Sequence, residues 1–150
     1  MQLKRVVVTG LGALTPIGNN IEEYWDALVN GKSGSAPITY YDTEKFKVKF
    51  ACELKNYKTE DHFDRKEGRK LDRFAQYALV SSDEAIRDSK LDLEKIDKFR
   101  VGVIWGAGIG GLETFQNEVM NFANGDGTPR FNPFFIPKMI ADIAPGNISI

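Results

Sequence analysis

Two short apolar runs, each closed by glycines, constrain this chain more than any other feature. Arg5-Val6-Val7-Val8-Thr9 leads into Gly10-Leu11-Gly12, and Arg100-Val101-Gly102-Val103-Ile104-Trp105 leads into Gly106-Ala107-Gly108-Ile109-Gly110-Gly111. Continuous runs of this kind suit strands covered on both faces, as in a parallel sheet. Between them the periodicity changes. Asn20 is placed to cap a helix, with Glu23 at its third position, Ile21, Trp25, Leu28 and Val29 on one face, and Gly31 as the stop. Phe46, Val48, Phe50, Cys52 and Leu54 alternate with Lys47, Lys49, Ala51 and Glu53, the pattern of a half-buried strand. A longer helix runs from Leu71 to near Ser89-Lys90, with Leu71, Phe74, Ala75, Ala78, Ala85 and Ile86 on one side. Strands alternating with helices predict an α/β fold.

Beyond the second glycine turn, Leu112, Phe115, Val119 and Phe122 mark another helical stripe. A loop at Asn124-Gly125-Asp126-Gly127-Thr128-Pro129 separates it from Pro133-Phe134-Phe135-Ile136-Pro137, an aromatic pair between two prolines. Met139, Ile140, Ile143 and Ala144 then form a last helical stripe. The sequence runs on through Ile148-Ser149-Ile150 with no polar tail, as expected of a chain cut inside a domain.

The size, 150 residues, suits about one domain. A net charge of −1 leaves no cationic excess for phosphates, so no nucleic-acid partner is expected. No apolar run approaches the roughly 20 residues that span a bilayer, so no membrane partner is expected. Met1-Gln2-Leu3-Lys4-Arg5 enters the first run without the apolar core of a signal peptide. The single cysteine, Cys52, excludes an internal disulfide and fits a reducing compartment. A cytosolic location is expected.

Several motifs invite a chemical reading. Gly106, Gly108 and Gly111 satisfy G-x-G-x-x-G between a predicted strand and a predicted helix, the local context of a dinucleotide fingerprint. Its second half is missing. A dinucleotide unit needs another strand after the helix, ending in an acidic residue about 20 positions on. Here that acid is Asp126, in a glycine loop. Close backbone packing permitted by glycine is the competing explanation, and no cofactor is expected. Cys52 lies on the apolar face of its strand, so a buried structural thiol is expected rather than a nucleophile. His62, the only histidine, sits among acidic residues as a solvated side chain, and one Cys with one His cannot build a metal cluster. The segment from Arg65 to Arg73 carries five positive charges in nine residues. On a helix Arg65, Arg69 and Arg73 adjoin Lys66 and Lys70, diluted by Asp64, Glu67 and Asp72. This is either a solvated helix start or a docking face for an acidic partner.

Taken in order, the first apolar run with Thr15-Pro16-Ile17-Gly18, then Trp25, Gly31-Lys32-Ser33-Gly34, Arg65-Lys66-Glu67-Gly68-Arg69-Lys70-Leu71-Asp72, the second glycine turn and Pro133-Phe134-Phe135-Ile136-Pro137 resemble the β-ketoacyl–acyl-carrier-protein synthases. These are the elongating condensing enzymes of fatty-acid synthesis, and the likeness is to the bacterial type II enzymes. The resemblance implies a thiolase-like fold of two α/β halves, residues 1–150 forming most of the N-terminal one. It implies an acyltransferase that takes an acyl chain onto a cysteine and condenses it with decarboxylating malonyl-carrier protein, helped by two histidines. That cysteine is expected beyond Ile150, and His62 matches neither histidine, so no catalytic residue is assigned and the fragment alone is expected to be inactive. Carried over by position, Ile109 is implied to line the acyl pocket and Phe135 to close its end near a dimer interface. Lys66, Arg69 and Lys70 are implied to face an acidic acyl carrier protein. A non-catalytic carrier-binding or chain-length-factor-like subunit is the alternative, set apart by the residue at the nucleophile position. Gly68 departs from the family's longer polar residue. Glycine inside a helix costs about 1 kcal/mol, so this helix is expected to start later or to be looser.

Overall fold

The computed structural model describes residues 3–150; Met1 and Gln2, from the start of the first run's approach, lie outside them. Among the described residues the chain forms α1 (Ile21–Val29), β1 (Ala36–Pro37), β2 (Phe50–Ala51), α2 (Arg65–Lys70), α3 (Arg73–Ser89), α4 (Leu112–Ala123), α5 (Phe135–Met139) and α6 (Ile143–Ser149). Two compact units share them. The first runs to Tyr57 and includes Asp83–Leu91; the second comprises Lys58–Ser82 and Asp92–Ile150.

In the first unit the ends of α1 follow from local chemistry. Asn20 is extended, and its side chain accepts the Glu23 N–H at 2.8 Å. Glu23 answers by accepting the Asn19 N–H at 2.8 Å, which ties the residue before the cap to the first turn. At the other end Gly31 takes φ +62. Its N–H donates to the Leu28 carbonyl and that of Lys32 donates to Ala27, the double bond of a Schellman stop. Residues 83–89 of α3 hold the glycine turn that precedes α1. The two carboxylate oxygens of Glu84 accept the N–H groups of Ala13 and Ile21, each at 2.8 Å, and Asp88 accepts that of Leu11 at 2.8 Å. Gly10 is needed there, because a Cβ on it would meet the Ala85 carbonyl oxygen at 2.1 Å.

The strands differ from expectation. Val6, Val7 and Val8 belong to no paired strand and are exposed, Val6 at 90%. In the second unit Val101, Ile104 and Trp105 follow a short 3-10 turn, also unpaired and exposed, Ile104 at 99%. A buried strand needs neighbours on both edges and cover on both faces, and no described segment supplies them. The sheet that forms is a two-stranded antiparallel hairpin, Ala36 opposite Ala51 and Pro37 opposite Phe50. Most of the expected apolar face is uncovered: Phe46, Val48, Phe50 and Cys52 are exposed and Leu54 is half-buried, while on the other face Lys47 and Lys49 are exposed and Ala51 and Glu53 half-buried. Cys52 is therefore a surface thiol and not a core residue. Likewise α1 buries Ala27 and leaves Trp25, Leu28 and Val29 exposed.

The helices of the second unit match expectation better. Ala75 and Ala78 of α3 are fully buried, as is Ala144 of α6. The final stripe is divided into α5 and α6. The stripe of α4 forms as a helix, yet Leu112, Phe115, Val119 and Phe122 remain partly exposed.

Candidate functional site

The site residues implied by the resemblance, Lys66, Arg69, Lys70, Ile109 and Phe135, lie in the second unit. The basic segment begins a helix at once. Asp64 is extended, and its Oδ1 accepts the N–H groups of Lys66 and Glu67 at 2.8 Å each, so α2 starts at Arg65. It does not start late, and Gly68 does not loosen it. Gly68 is buried, and a Cβ there would stand 2.6 Å from Thr59 Cγ2. The glycine lets α2 lie directly against Thr59, which outweighs its poor helix propensity.

Lys66 and Arg69 are exposed, and no described carboxylate pairs with either. Lys70 is half-buried and shares its charge with Glu67 at 2.8 Å. Arg73, after the break at Leu71-Asp72, pairs with Glu113 of α4 at 3.6 Å. Among the described residues the basic face therefore carries three cations with no ion pair, Arg65, Lys66 and Arg69, while Lys70 is held within its own helix and Arg73 is paired across to α4. His62 is exposed, its ring tilted against that of Phe63.

Ile109 sits on the glycine turn, 71% exposed. Phe135 opens α5 and is half-buried, its ring stacked between Phe115 at 6.2 Å and Phe131 at 5.9 Å. The turn is anchored at the far end of the same short helix. Gly111 donates its N–H to the Met139 carbonyl at 2.9 Å, and Gly110 takes φ +90 beside the Met139 oxygen. A Cβ on Gly111 would come within 2.3 Å of the Lys138 carbonyl. Phe135 and Met139 are separated by about 6 Å of helix rise. The turn that carries Ile109 thus meets the C-terminal end of α5, and Phe135 stands at its N-terminal end.

The glycine turn is closely packed at its far end: Gly110 and Gly111 are under steric demand against protein backbone. Gly106 and Gly108 meet nothing within 4 Å. No strand follows α4 among the described residues; a turn and irregular chain do.

Sequence reasoning missed Asp72. It is buried, and its Oδ2 accepts both the N–H of Thr114, at 3.2 Å, and the Thr114 hydroxyl. Gly111, the N-cap of α4, has no side chain to satisfy that helix, so Asp72 does so from 42 residues away. The signal available was a helix opening on two glycines, which requires a borrowed acceptor; nothing local says which.

The chain matches the family model described as "Beta-ketoacyl synthase, N-terminal domain" over residues 3–150. It is 47% identical over 149 residues to 3-oxoacyl-[acyl-carrier-protein] synthase 2 of Staphylococcus aureus (strain COL), covering 99% of this chain and 36% of the relative. It is 41% identical over 150 residues to the synthase of the same name from Synechocystis sp., covering all of this chain and 36% of the relative. The chain thus spans about a third of the length of these relatives. Among solved structures, it superposes on a chain of a type II PKS acyl-carrier protein in complex with its ketosynthase, with a TM-score of 0.78 and 26% identity over 98% of this chain and 38% of the other. A β-ketoacyl synthase from Burkholderia phymatum STM815 gives 0.76 at 24% identity, over 98% of this chain and 36% of the other. These likenesses show the thiolase-like fold of the ketosynthases.

Proposed function

The chain belongs to the β-ketoacyl synthase family, as its N-terminal domain, and on that premise we propose that it is the first part of an elongating 3-oxoacyl–acyl-carrier-protein synthase of fatty-acid synthesis. The observation that carries this reading is the 47% identity to a 3-oxoacyl-[acyl-carrier-protein] synthase over 149 residues, 99% of the chain. In the proposed reaction, an acyl chain is held as a thioester on the enzyme. Malonyl-carrier protein loses CO2, and the resulting carbanion attacks the acyl carbonyl. The thiolate departs, leaving a 3-oxoacyl-carrier protein two carbons longer. The whole enzyme works as a cytosolic homodimer.

Within that reaction this chain binds and shapes. Lys66, Arg69 and Lys70 form the face for the acidic carrier protein; two of the three carry charge that nothing nearby neutralises, which favours steering over mere solvation. Ile109 and Phe135 line the acyl pocket. The first is an aliphatic side chain on a backbone-anchored turn, the second a ring in an aromatic stack. Cys52 and His62 take no part: both are exposed, one on a hairpin and one among acidic residues.

The test uses the full-length protein with acyl- and malonyl-carrier protein, following the 3-oxoacyl product by mass. Product is expected. The double substitution Lys66→Glu with Arg69→Glu is expected to raise KM for the carrier about tenfold or more and leave kcat nearly unchanged, because rim charges act mainly on encounter. Absence of product from the unmodified protein defeats the reading. A charge reversal that leaves KM unchanged removes these residues from the docking face.

A further inference from the structure

Among the described residues, the buried polar side chains are Asp72, Gln76 and Thr114, at 7%, 4% and 9% exposure. They converge on the first turn of α3. Gln76 reaches back: its Nε2 donates to the carbonyls of Gly68 and Leu71 at 3.2 and 3.3 Å, and its Oε1 accepts from Thr59 Oγ1 at 2.9 Å. That fastens the end of α2. Asp72 reaches forward. Its Oδ1 accepts the Phe74 N–H at 3.3 Å, while Oδ2 takes both donors of Thr114 and would lie 3.0 Å from a Cβ on Gly111. One side chain thus closes the starts of two helices.

A carboxylate is a costly group to bury, and it persists only where donors compensate it. Here they do so through one particular arrangement of α2, α3 and the glycine turn. The connection is short. Lys70 stands two residues before Asp72, and Ile109 two before Gly111. Docking helix and turn are therefore joined by a single buried polar strap, with little flexible chain between them.

We propose that Asp72, acting through Thr114, is a positioning residue for acyl-chain selectivity: it fixes the Ile109–Gly111 turn relative to helix α2. This rests on reading α2 as the carrier-docking helix and Ile109 as pocket wall. A chain delivered at α2 meets Ile109 at a depth set by that strap. Loosening the strap changes which chain lengths react well, more than it changes how tightly the carrier binds.

The experiment compares kcat/KM for a short and a long acyl-carrier protein in the full-length protein, together with carrier affinity. Thr114→Val keeps the shape and the backbone donor and removes only the hydroxyl; Asp72→Asn keeps the shape and one acceptor oxygen. In either variant the long-to-short ratio of kcat/KM is expected to move about fivefold, with carrier affinity within about twofold of the unmodified protein. Thr114→Ser, which restores the hydroxyl, returns the ratio. An unchanged ratio in whichever variant folds overturns the proposal, as does a serine variant that behaves like the valine one. Failure of both variants to fold overturns it too, since the strap is then architectural only. No condensation by the unmodified protein overturns the synthase reading and this inference with it; an unchanged ratio in an active protein overturns this inference alone.

Discussion

Glu53, at the foot of the hairpin, shows what a single half-buried carboxylate contributes. It accepts the Thr39 hydroxyl at 2.7 Å and the Thr39 N–H at 3.0 Å. The hydroxyl holds its carboxyl below the usual glutamate range, against a raising effect of desolvation and with further help from the N–H groups of Thr39 and Tyr40. A folded-state value below the unfolded one fixes the sign: the contact supports the hairpin above the ordinary glutamate value and is lost as pH falls through the depressed one. Replacing Thr39 with valine should raise the Glu53 midpoint toward the ordinary range in an NMR titration of the side-chain carboxyl; an unmoved midpoint contradicts the assignment. Single residues were readable from sequence when their partners were close. Asn20 and Glu23 announce a helix start because both partners lie within one turn. Asp72 looks like a diluting charge in a basic run, because its partner Thr114 is 42 residues on. Cys52 was misplaced for a related reason: alternation says that two faces differ, not which one is covered.

The same division holds for elements. Each helix with local punctuation appears about where its residues place it, with α1 ending at Gly31 and α3 at Ser89. Strands are different, since a strand exists only with a partner, and the partner is never written beside it. The runs at Val6 and Val101 have the composition of strands and no described neighbour. Helix α2 offers a sharper test of how an element is set in place. Gly68→Ala gains about 1 kcal/mol of helix propensity but drives a methyl into Thr59 Cγ2, and overpacking of this kind costs about 1–3 kcal/mol. A net loss of about 1 kcal/mol in chemical denaturation is expected. Adding Thr59→Ser, which removes that methyl and keeps the hydroxyl bonded to Gln76, should recover it. A stabilising Gly68→Ala on its own would show that the close approach is not enforced.

For the molecule as a whole, the basic face, the anchored turn and the aromatic stack lie in one compact unit, while the chain's own cysteine and histidine are exposed. Family membership was legible because ordered glycine turns and a basic helix start are local patterns. The buried strap between them was not, because it is a property of packing. The large apolar side chains left open at Val6, Val8 and Ile104 indicate surfaces that need covering. The chain spans about a third of the length of its curated relatives; under the proposed function it binds and shapes, and the reacting groups are expected outside residues 1–150. The direct measurement sets residues 1–150 and the full-length protein side by side with acyl- and malonyl-carrier protein and follows CO2 and 3-oxoacyl product by mass. The account predicts equal amounts of both from the full-length protein and neither from residues 1–150. Turnover by residues 1–150 alone, or none by the full-length protein, would contradict it.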